Sequence, residues 1–125
     1  MNIVLLIAGI LGFSSLVLGA YGDHGLQLSI LDQQSWDVAL RYHQLYAVVL
    51  LVLSGFKCLP LTKRRQIGLN LIAGGFFIGA ILFSGSIYLR ILSGYTGLSF
   101  LTPIGGSLLI LSWLAVMAYS FKYSK

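Results

Sequence analysis

Arg41, Tyr42 and His43 form the stretch of this sequence with the greatest potential for chemistry. An arginine supplies a permanent charge with a fork of hydrogen-bond donors, and a histidine can exchange a proton or bind a metal ion. The three residues stand directly before the long apolar run 44–56. Such groups at the mouth of a membrane helix are costly unless other groups partner them. We therefore expect the fold to bring partners to this stretch.

Three other stretches, rich in glycine or hydroxyl groups, are candidates for those partners: 19–24, 83–88 and 102–106. Each falls at an end of a predicted apolar helix, on the same side of the membrane as the first. An asymmetric pool of polar groups at one end of a helix bundle indicates a site. The residues predicted to bind a ligand there are His24, Arg41, Tyr42, His43, Ser84, Ser86, Tyr88, Thr102, Gly105 and Gly106.

The composition is that of a membrane protein. The 125 residues are 58% hydrophobic and 9% charged, with a formal net charge of +5, and the mean hydropathy is +0.92. A soluble domain carries about 25% charged residues, so this chain could not cover a water-facing surface. The single cysteine, Cys58, excludes a disulfide within the chain and a cysteine-rich metal site.

Four apolar segments, each long enough to cross about 30 Å of hydrocarbon, predict an all-α polytopic membrane protein. We expect one domain over residues 1–125, a compact bundle of four transmembrane helices. Their predicted bounds are 2–22, 36–59, 66–92 and 103–121. The first loop should be partly helical and interfacial, with Ser35 as the N-cap of the second helix and Asp37 in its first turn.

Small residues recur on one face of two predicted helices, which indicates close helix packing. They are Ala8, Gly12, Ser15, Gly19 and Gly22 in the first helix, and Gly68, Gly75, Gly79 and Ser86 in the third. These faces predict contacts within the chain or between the protomers of a homo-oligomer. In the second helix His43 shares a face with Ala47 and Ser54, so it should face other helices rather than lipid.

The charges orient the predicted bundle. The side with both termini carries six bases and no acids: Lys57, Lys63, Arg64, Arg65, Lys122 and Lys125. The opposite side carries Arg41, Arg90, Asp23, Asp32 and Asp37. Basic loops stay in the cytoplasm, so we expect a multi-pass protein of the bacterial inner membrane with both termini cytoplasmic. Membrane lipids explain the basic residues, and no nucleic-acid partner is needed.

At these four stretches the sequence resembles the small bacterial inner-membrane proteins of domain-of-unknown-function family 423. The matching residues are Gly19-Ala20-Tyr21-Gly22 with His24, Arg41-Tyr42-His43, the F-S-G-S-I-Y of 83–88 and the T-P-I-G-G of 102–106. The chain departs from the family pattern at Asp23, at Tyr46 in place of a second histidine, and at Ser112 before Trp113. The resemblance implies a four-helix inner-membrane protein without an assigned activity.

The polar cluster has two non-catalytic interpretations. It could fix the register of the helices, or it could hold an anion such as a lipid headgroup phosphate. In the second case Arg41 would be the charged donor, and the amino end of the fourth helix would add backbone donors at Gly105 and Gly106. We expect Arg41 to turn inward and to pair with Asp23 or Asp37.

Two other classes of function remain open. One is a metal-dependent or acid–base enzyme that uses His24 and His43, with Ser84 or Ser86 as a nucleophile. The spacing of these residues matches no zinc signature, and we predict neither a metal nor a cofactor. The other is a small oligomeric transporter, since four helices are few for alternating access.

Overall fold

The fold is described by a computed structural model that covers residues 1–123, so Lys125 of the predicted basic side lies outside the described residues. Within this range the chain forms helices and short links, without strands. The elements are α1 (Ile3–His24), α2 (Ile30–Phe56), α3 (Lys63–Ala80), a π-helical segment (Ile81–Gly85), α4 (Ser86–Ser93) and α5 (Leu101–Tyr123). Because α3, the π segment and α4 are continuous, four spans are long and apolar enough to cross a membrane. The predicted all-α membrane fold is confirmed.

The start of α2 is the largest difference from the predicted bounds. α2 begins at Ile30, six residues earlier than predicted, and its N-cap is Ser29, whose side chain accepts a hydrogen bond from the amide of Asp32. The expected cap at Ser35 is therefore wrong. The predicted helical part of the first loop exists, but it is continuous with α2. It helps to form the core, since Trp36 and Ala39 in these turns are buried.

α1 packs on α2 through the predicted small residues. Ala8 and Ser15 are buried, and Gly22 lies against the indole of Trp36. A methyl group at Gly22 would be 2.8 Å from Cδ1 of that ring, which real side chains do not approach. Gly12 has open space around its Cα hydrogen, so it lies at the edge of the contact. Close packing of α1 through small residues is confirmed.

The glycine face of α3 is covered by α5 of the same chain. A methyl group at Gly79 would lie 2.7 Å from Cδ2 of Leu109, and one at Gly75 would clash with Oγ of Ser112. The approach is closest at Gly105, where an added methyl group would clash with the backbone nitrogen of Phe83 and lie 2.9 Å from the Gly79 carbonyl oxygen. The Gly75–Gly79 face is therefore an intramolecular interface.

The π-helical segment coincides with the predicted F-S-G-S motif. Ser84 donates a hydrogen bond to the carbonyl oxygen of Ala39 in α2, at 2.7 Å, and Ser86 lies 2.5 Å from the Thr102 hydroxyl of α5. Positions two apart in a helix point to nearly opposite sides. Ser84 of the π segment thus faces α2, and Ser86 at the start of α4 faces α5, so this stretch joins three spans at one level.

The helices do not close into a ring. α1 packs mainly on α2, and α3 lies between α2 and α5. The main core contains Leu11, Leu50 and Phe76, and a second cluster contains Trp36 and Tyr88. The second cluster lies at the end of the spans with the links 25–29 and 94–100, which we call the outer end. A cleft remains between α1 and α3, and α2 forms its floor.

We predict that Gly105→Ala destabilises the protein and that Gly106→Ala does not. The added methyl group at position 105 meets backbone atoms of Phe83 and Gly79, whereas at position 106 the nearest atoms are Phe83 ring carbons at 3.6 Å, an ordinary contact. Overpacking of this kind costs about 1–3 kcal/mol. Unfolding by SDS titration in mixed micelles measures the difference, and equal stability of the two variants would contradict the assigned contact.

Candidate functional site

His43 is the centre of a hydrogen-bonded network that joins three helices. It lies at the midpoint of α2, thirteen residues from each end, and only 6% of its surface is exposed. Its Nε2 atom is 3.2 Å from Oγ of Ser14 in α1, and its Nδ1 atom is 3.2 Å from the Tyr88 hydroxyl of α4. Both ring nitrogens are therefore partnered, and the prediction that His43 faces other helices is confirmed.

The contacts of Ser14 indicate the tautomer of His43. The Ser14 hydroxyl donates to the carbonyl oxygen of Leu11 at 3.2 Å, so it is available to His43 as an acceptor. We assign the proton of a neutral imidazole to Nε2, which donates to Ser14, while the Tyr88 hydroxyl donates to Nδ1. The network then runs in one direction from Tyr88 to Leu11, and every donor in it has an acceptor.

A second set of polar and aromatic contacts joins α2, α3 and α5 near the middle of the spans. The ring of Tyr46 in α2 stacks on Phe76 of α3 with centroids 5.4 Å apart, and Trp113 of α5 meets Phe76 edge-on at 5.0 Å. The Trp113 indole donates to the Tyr46 hydroxyl at 3.2 Å. Tyr46, which the family pattern marks as a departure, thus links α2 to α5.

Trp36 is the largest side chain of the outer cluster. It is 1% exposed and its ring lies 4.8 Å from that of Tyr88. Its Nε1 atom has no hydrogen-bond partner among residues 1–123. Packing of this ring against Gly22 and Tyr88 therefore joins α1, α2 and α4, and the indole itself adds no hydrogen bond.

Arg41 does not turn inward as expected. It is exposed, because positions two apart in a helix point to nearly opposite sides and His43 takes the protein-facing one. The ion pair of the outer end joins other residues: Arg90 of α4 lies 3.4 Å from Asp32 in the first turn of α2. Asp37 instead accepts a hydrogen bond from Gln33 at 2.9 Å. The proposed pairing of Arg41 with an aspartate is wrong.

His24 and His43 are not neighbours. His24 is the exposed last residue of α1, ten residues beyond the Ser14 that contacts His43, which is about 15 Å along the helix. Neither Ser84 nor Ser86 is hydrogen-bonded to His43, since their hydroxyls bond to Ala39 and Thr102. Within residues 1–123 no three His, Cys, Asp or Glu side chains are grouped as metal ligands. The His24/His43 cluster of the enzyme hypothesis does not form.

Gly105 and Gly106 cannot act as free backbone donors. α5 begins at Leu101, two residues earlier than predicted, and only the first four amides of a helix lack an intrahelical acceptor. Gly105 is also covered by the π segment. The other eight predicted site residues separate into two groups. The buried group connects helices and consists of His43, Ser84, Ser86 and Tyr88 with the half-buried Thr102. The exposed group consists of His24, Arg41 and Tyr42.

The cleft between α1 and α3 is the cavity nearest to the buried network. Its volume is about 330 Å³. We call it the α1–α3 cleft, and its lining residues are Ile10, Leu11, Ser14, Leu18, His43, Phe77, Ala80, Ile81, Ser84, Gly85 and Tyr88. Each polar side chain of this set is hydrogen-bonded within the protein. The cleft consequently offers mostly carbon to an occupant.

Ser14, Trp36 and Trp113 are the structural residues that sequence reasoning missed. Trp36 stands at the predicted start of the second helix, where nothing indicates burial, and Trp113 carries no signal beyond its aromatic ring. Ser14 precedes Ser15, which the small-residue spacing placed on the packing face. Ser14 can be recognised only when the position of α1 along α2 is known, and that position depends on where α2 begins.

Comparison with known proteins identifies the family. The profile of a family described as protein of unknown function, DUF423, matches residues 18–106. The chain belongs to the DUF423 family. It is 32% identical to the UPF0382 membrane protein YwdK of Bacillus subtilis, over 98% of this chain and 99% of that protein. A UPF0382 membrane protein of Haemophilus influenzae is 31% identical, over 97% and 95% of the two chains. No solved structure matches the chain.

The relatives are named membrane proteins, and together with the four apolar spans this shows an integral membrane protein. The matched segment also covers the four stretches that resemble the family. Residues 18–106 include Arg41, His43 and the F-S-G-S motif. The segment ends at Gly106, next to the Gly105 contact with the π segment, and leaves out Ser14. Of the three helices that meet at His43, the DUF423 profile therefore covers α2 and α4 completely and only the end of α1.

We predict coupling between Ser14, His43 and Tyr88. Tyr88→Phe and Ser14→Ala each leave one ring nitrogen of His43 unpartnered, at a cost of about 0.5–2 kcal/mol. In the background of His43→Leu, which removes both nitrogens, the same changes should cost much less. Ser107→Ala is a matched control, because Ser107 is exposed and donates only to Pro103 of its own helix. Additive effects in the double-mutant cycles would contradict the network.

Proposed function

We propose that this DUF423 protein is a non-catalytic protein of the bacterial inner membrane that holds the acyl chain of a lipid in the α1–α3 cleft. The observation that carries the proposal is the character of this cleft. It is about 330 Å³ in volume, within the range of ligand pockets, and the hydroxyls and the imidazole that line it are hydrogen-bonded within the protein. A lipid tail is the apolar ligand that a membrane supplies everywhere along the spans.

The buried polar residues serve this cleft as its frame. α1 and α3 form its two walls and do not pack closely on each other. His43, on the floor, is hydrogen-bonded to Ser14 of one wall, and to Tyr88, which follows α3 on the other. The network fixes both walls relative to α2. We therefore assign the cluster a structural role and place the ligand beside it.

The pairing of Ser14 with His43 resembles a nucleophile and its base, but its surroundings disfavour acyl transfer. Such chemistry needs donors aimed at a developing oxyanion. Ser14 lies in the middle of α1, where backbone amides are used by the helix itself, and its own proton is donated to Leu11. A strut between helices agrees better with these contacts than a catalytic pair.

The exposed polar residues of the outer end are available to lipid headgroups. Arg41 is exposed on the lipid-facing side of α2, and its long side chain can extend toward the membrane surface. Tyr42, 37% exposed, packs edge-on against Phe83 at 4.9 Å. We retain Arg41 as a candidate headgroup contact. A homo-oligomer would need a surface other than the α3 glycine face, which α5 covers.

Both termini are proposed to be cytoplasmic, and reporter fusions test this orientation. Lys57, Lys63, Arg64, Arg65 and Lys122 lie at one end of the spans, and the three aspartates lie at or near the other. We expect a cytoplasmic reporter to be active when fused after Lys125, and a periplasmic reporter to be active when inserted in the link 25–29. Periplasmic activity at Lys125 would contradict the orientation.

We predict that Gly85→Leu empties the α1–α3 cleft of lipid. Gly85 lines the cleft, and an added methyl group there meets no atom within 4 Å, so leucine should fill the space without strain. Gly9→Leu is the matched control, because Gly9 has equally open surroundings on exposed α1 surface. Native mass spectrometry of protein purified in mild detergent counts the lipids that remain bound. We expect Gly85→Leu to retain fewer than the control.

Two outcomes would count against the cleft as a lipid site. Equal lipid retention by Gly85→Leu and Gly9→Leu would show that lipid binds elsewhere. A wild-type dimer that Gly85→Leu converts to a monomer would show that a helix of a second copy fills the cleft.

A further inference from the structure

A second groove lies at the opposite end of the molecule, between α3 and α5. Its volume is about 380 Å³. We call it the α3–α5 groove, and its lining residues are Arg64, Ile67, Gly68, Leu71, Ile72, Ala115, Ala118, Tyr119, Lys122 and Tyr123. No residue of this groove lines the α1–α3 cleft, and none belongs to the predicted outer-end site.

The charged residues of the groove come from both helices. Arg64 is in the first turn of α3 and Lys122 is in the last turn of α5, and both are exposed. The guanidinium of Arg65 lies 4.9 Å from the centre of the Tyr123 ring, and the ammonium of Lys122 lies 5.7 Å from it. Two cations thus lie close to one aromatic side chain, and Arg64 lines the same groove. The acids of the chain, Asp23, Asp32 and Asp37, are all in α1 or the first turns of α2, at the other end of the spans.

Tyr119 and Tyr123 are held in place beside these cations. The Tyr119 hydroxyl donates to the carbonyl oxygen of Arg65 at 3.3 Å, and the Tyr119 and Tyr123 rings lie 4.6 Å apart. Gly68 allows this arrangement, since a methyl group there would be 3.0 Å from Cε2 of Tyr119. The carboxyl end of α5 is therefore held against the start of α3, which brings Arg64 and Lys122 to the same groove.

The rest of the groove is apolar and continues along the spans. Ile67 and Leu71 of α3 face it together with Ala118 of α5, and Leu71 is 73% exposed. Leu71 follows Arg64 by seven residues, or about 10 Å along the helix. A ligand that fills the groove would thus combine negative charge at one end with a hydrocarbon chain at the other.

We propose that the α3–α5 groove binds an anionic phospholipid, with its phosphate between Arg64 and Lys122 and one acyl chain along Ile67 and Leu71. Basic pockets between membrane helices on the cytoplasmic side suit such headgroups. A phosphate that contacts both cations bridges α3 and α5. The orientation proposed above names the leaflet, while the site itself depends only on the groove and its charges.

Lipid binding to the full chain tests the site. Purified protein is titrated with phosphatidylglycerol or phosphatidylcholine in detergent, and bound lipid is counted by native mass spectrometry. The test variant is Arg64→Gln with Lys122→Gln. The control is Lys57→Gln with Lys63→Gln, which removes the same charge at the same end of the molecule but changes no residue that lines the groove. Thermal unfolding of each variant confirms folding.

We expect the test variant to lose at least tenfold in affinity for phosphatidylglycerol, since each cation near an anionic lipid contributes substantially to binding. The control should change less than twofold, and phosphatidylcholine should bind the wild type and the test variant alike. Gly85→Leu should leave this site intact, which separates it from the α1–α3 cleft. Equal losses in the test and control variants would overturn the site, as would equal affinity of the wild type for the two lipids.

Discussion

An imidazole ring inside a membrane span must find its hydrogen-bond partners within the protein, because hydrocarbon offers none. His43 meets this requirement with Ser14 on one side and Tyr88 on the other. The constraint acts on three helices together, since a shift of α1 or α4 along α2 would leave one ring nitrogen unpartnered. The outer half of the bundle can therefore pack in only one register, with α1 and α4 each at one position along α2. The contacts of Ser84 with α2 and of Ser86 with α5 extend the same arrangement to the fourth span.

The network also determines which surfaces are left for ligands. Because its polar atoms bond to each other, the α1–α3 cleft is apolar although His43 and Ser14 line it. At the opposite end, by contrast, the charged side chains of Arg64 and Lys122 are exposed, and they lie beside apolar side chains. One end of the molecule is thus held together by neutral hydrogen bonds, the packing of Trp36 and the Arg90–Asp32 ion pair, and the other offers cations to the membrane surface. Both surfaces suit lipid rather than a soluble substrate.

Properties that depend on local composition could be predicted from the sequence. The four spans follow from hydropathy, and the contacts of Gly79 and Gly22 follow from helical periodicity. Errors arose where a long-range contact decides the outcome. The polar turns that begin α2 read as a loop because their buried face is set by Trp36, which packs on α1 and α4. Ser14 could not be identified, because its contact with His43 depends on the register of α1 against α2, which no local pattern sets. Arg41 was expected to face inward because it is close to His43 in the sequence. Residues two apart in a helix, however, point to nearly opposite sides.

Nitrogen-15 NMR of the imidazole rings tests most directly whether His43 joins the helices. The chain has two histidines, so selective labelling gives two sets of ring signals, and His24 is an exposed reference. We predict that His43 is a single neutral tautomer with its proton on Nε2, that Tyr88→Phe shifts its Nδ1 signal, and that Ser14→Ala shifts its Nε2 signal. A His43 ring that averages between tautomers like a solvated imidazole, and that responds to neither substitution, would contradict the network.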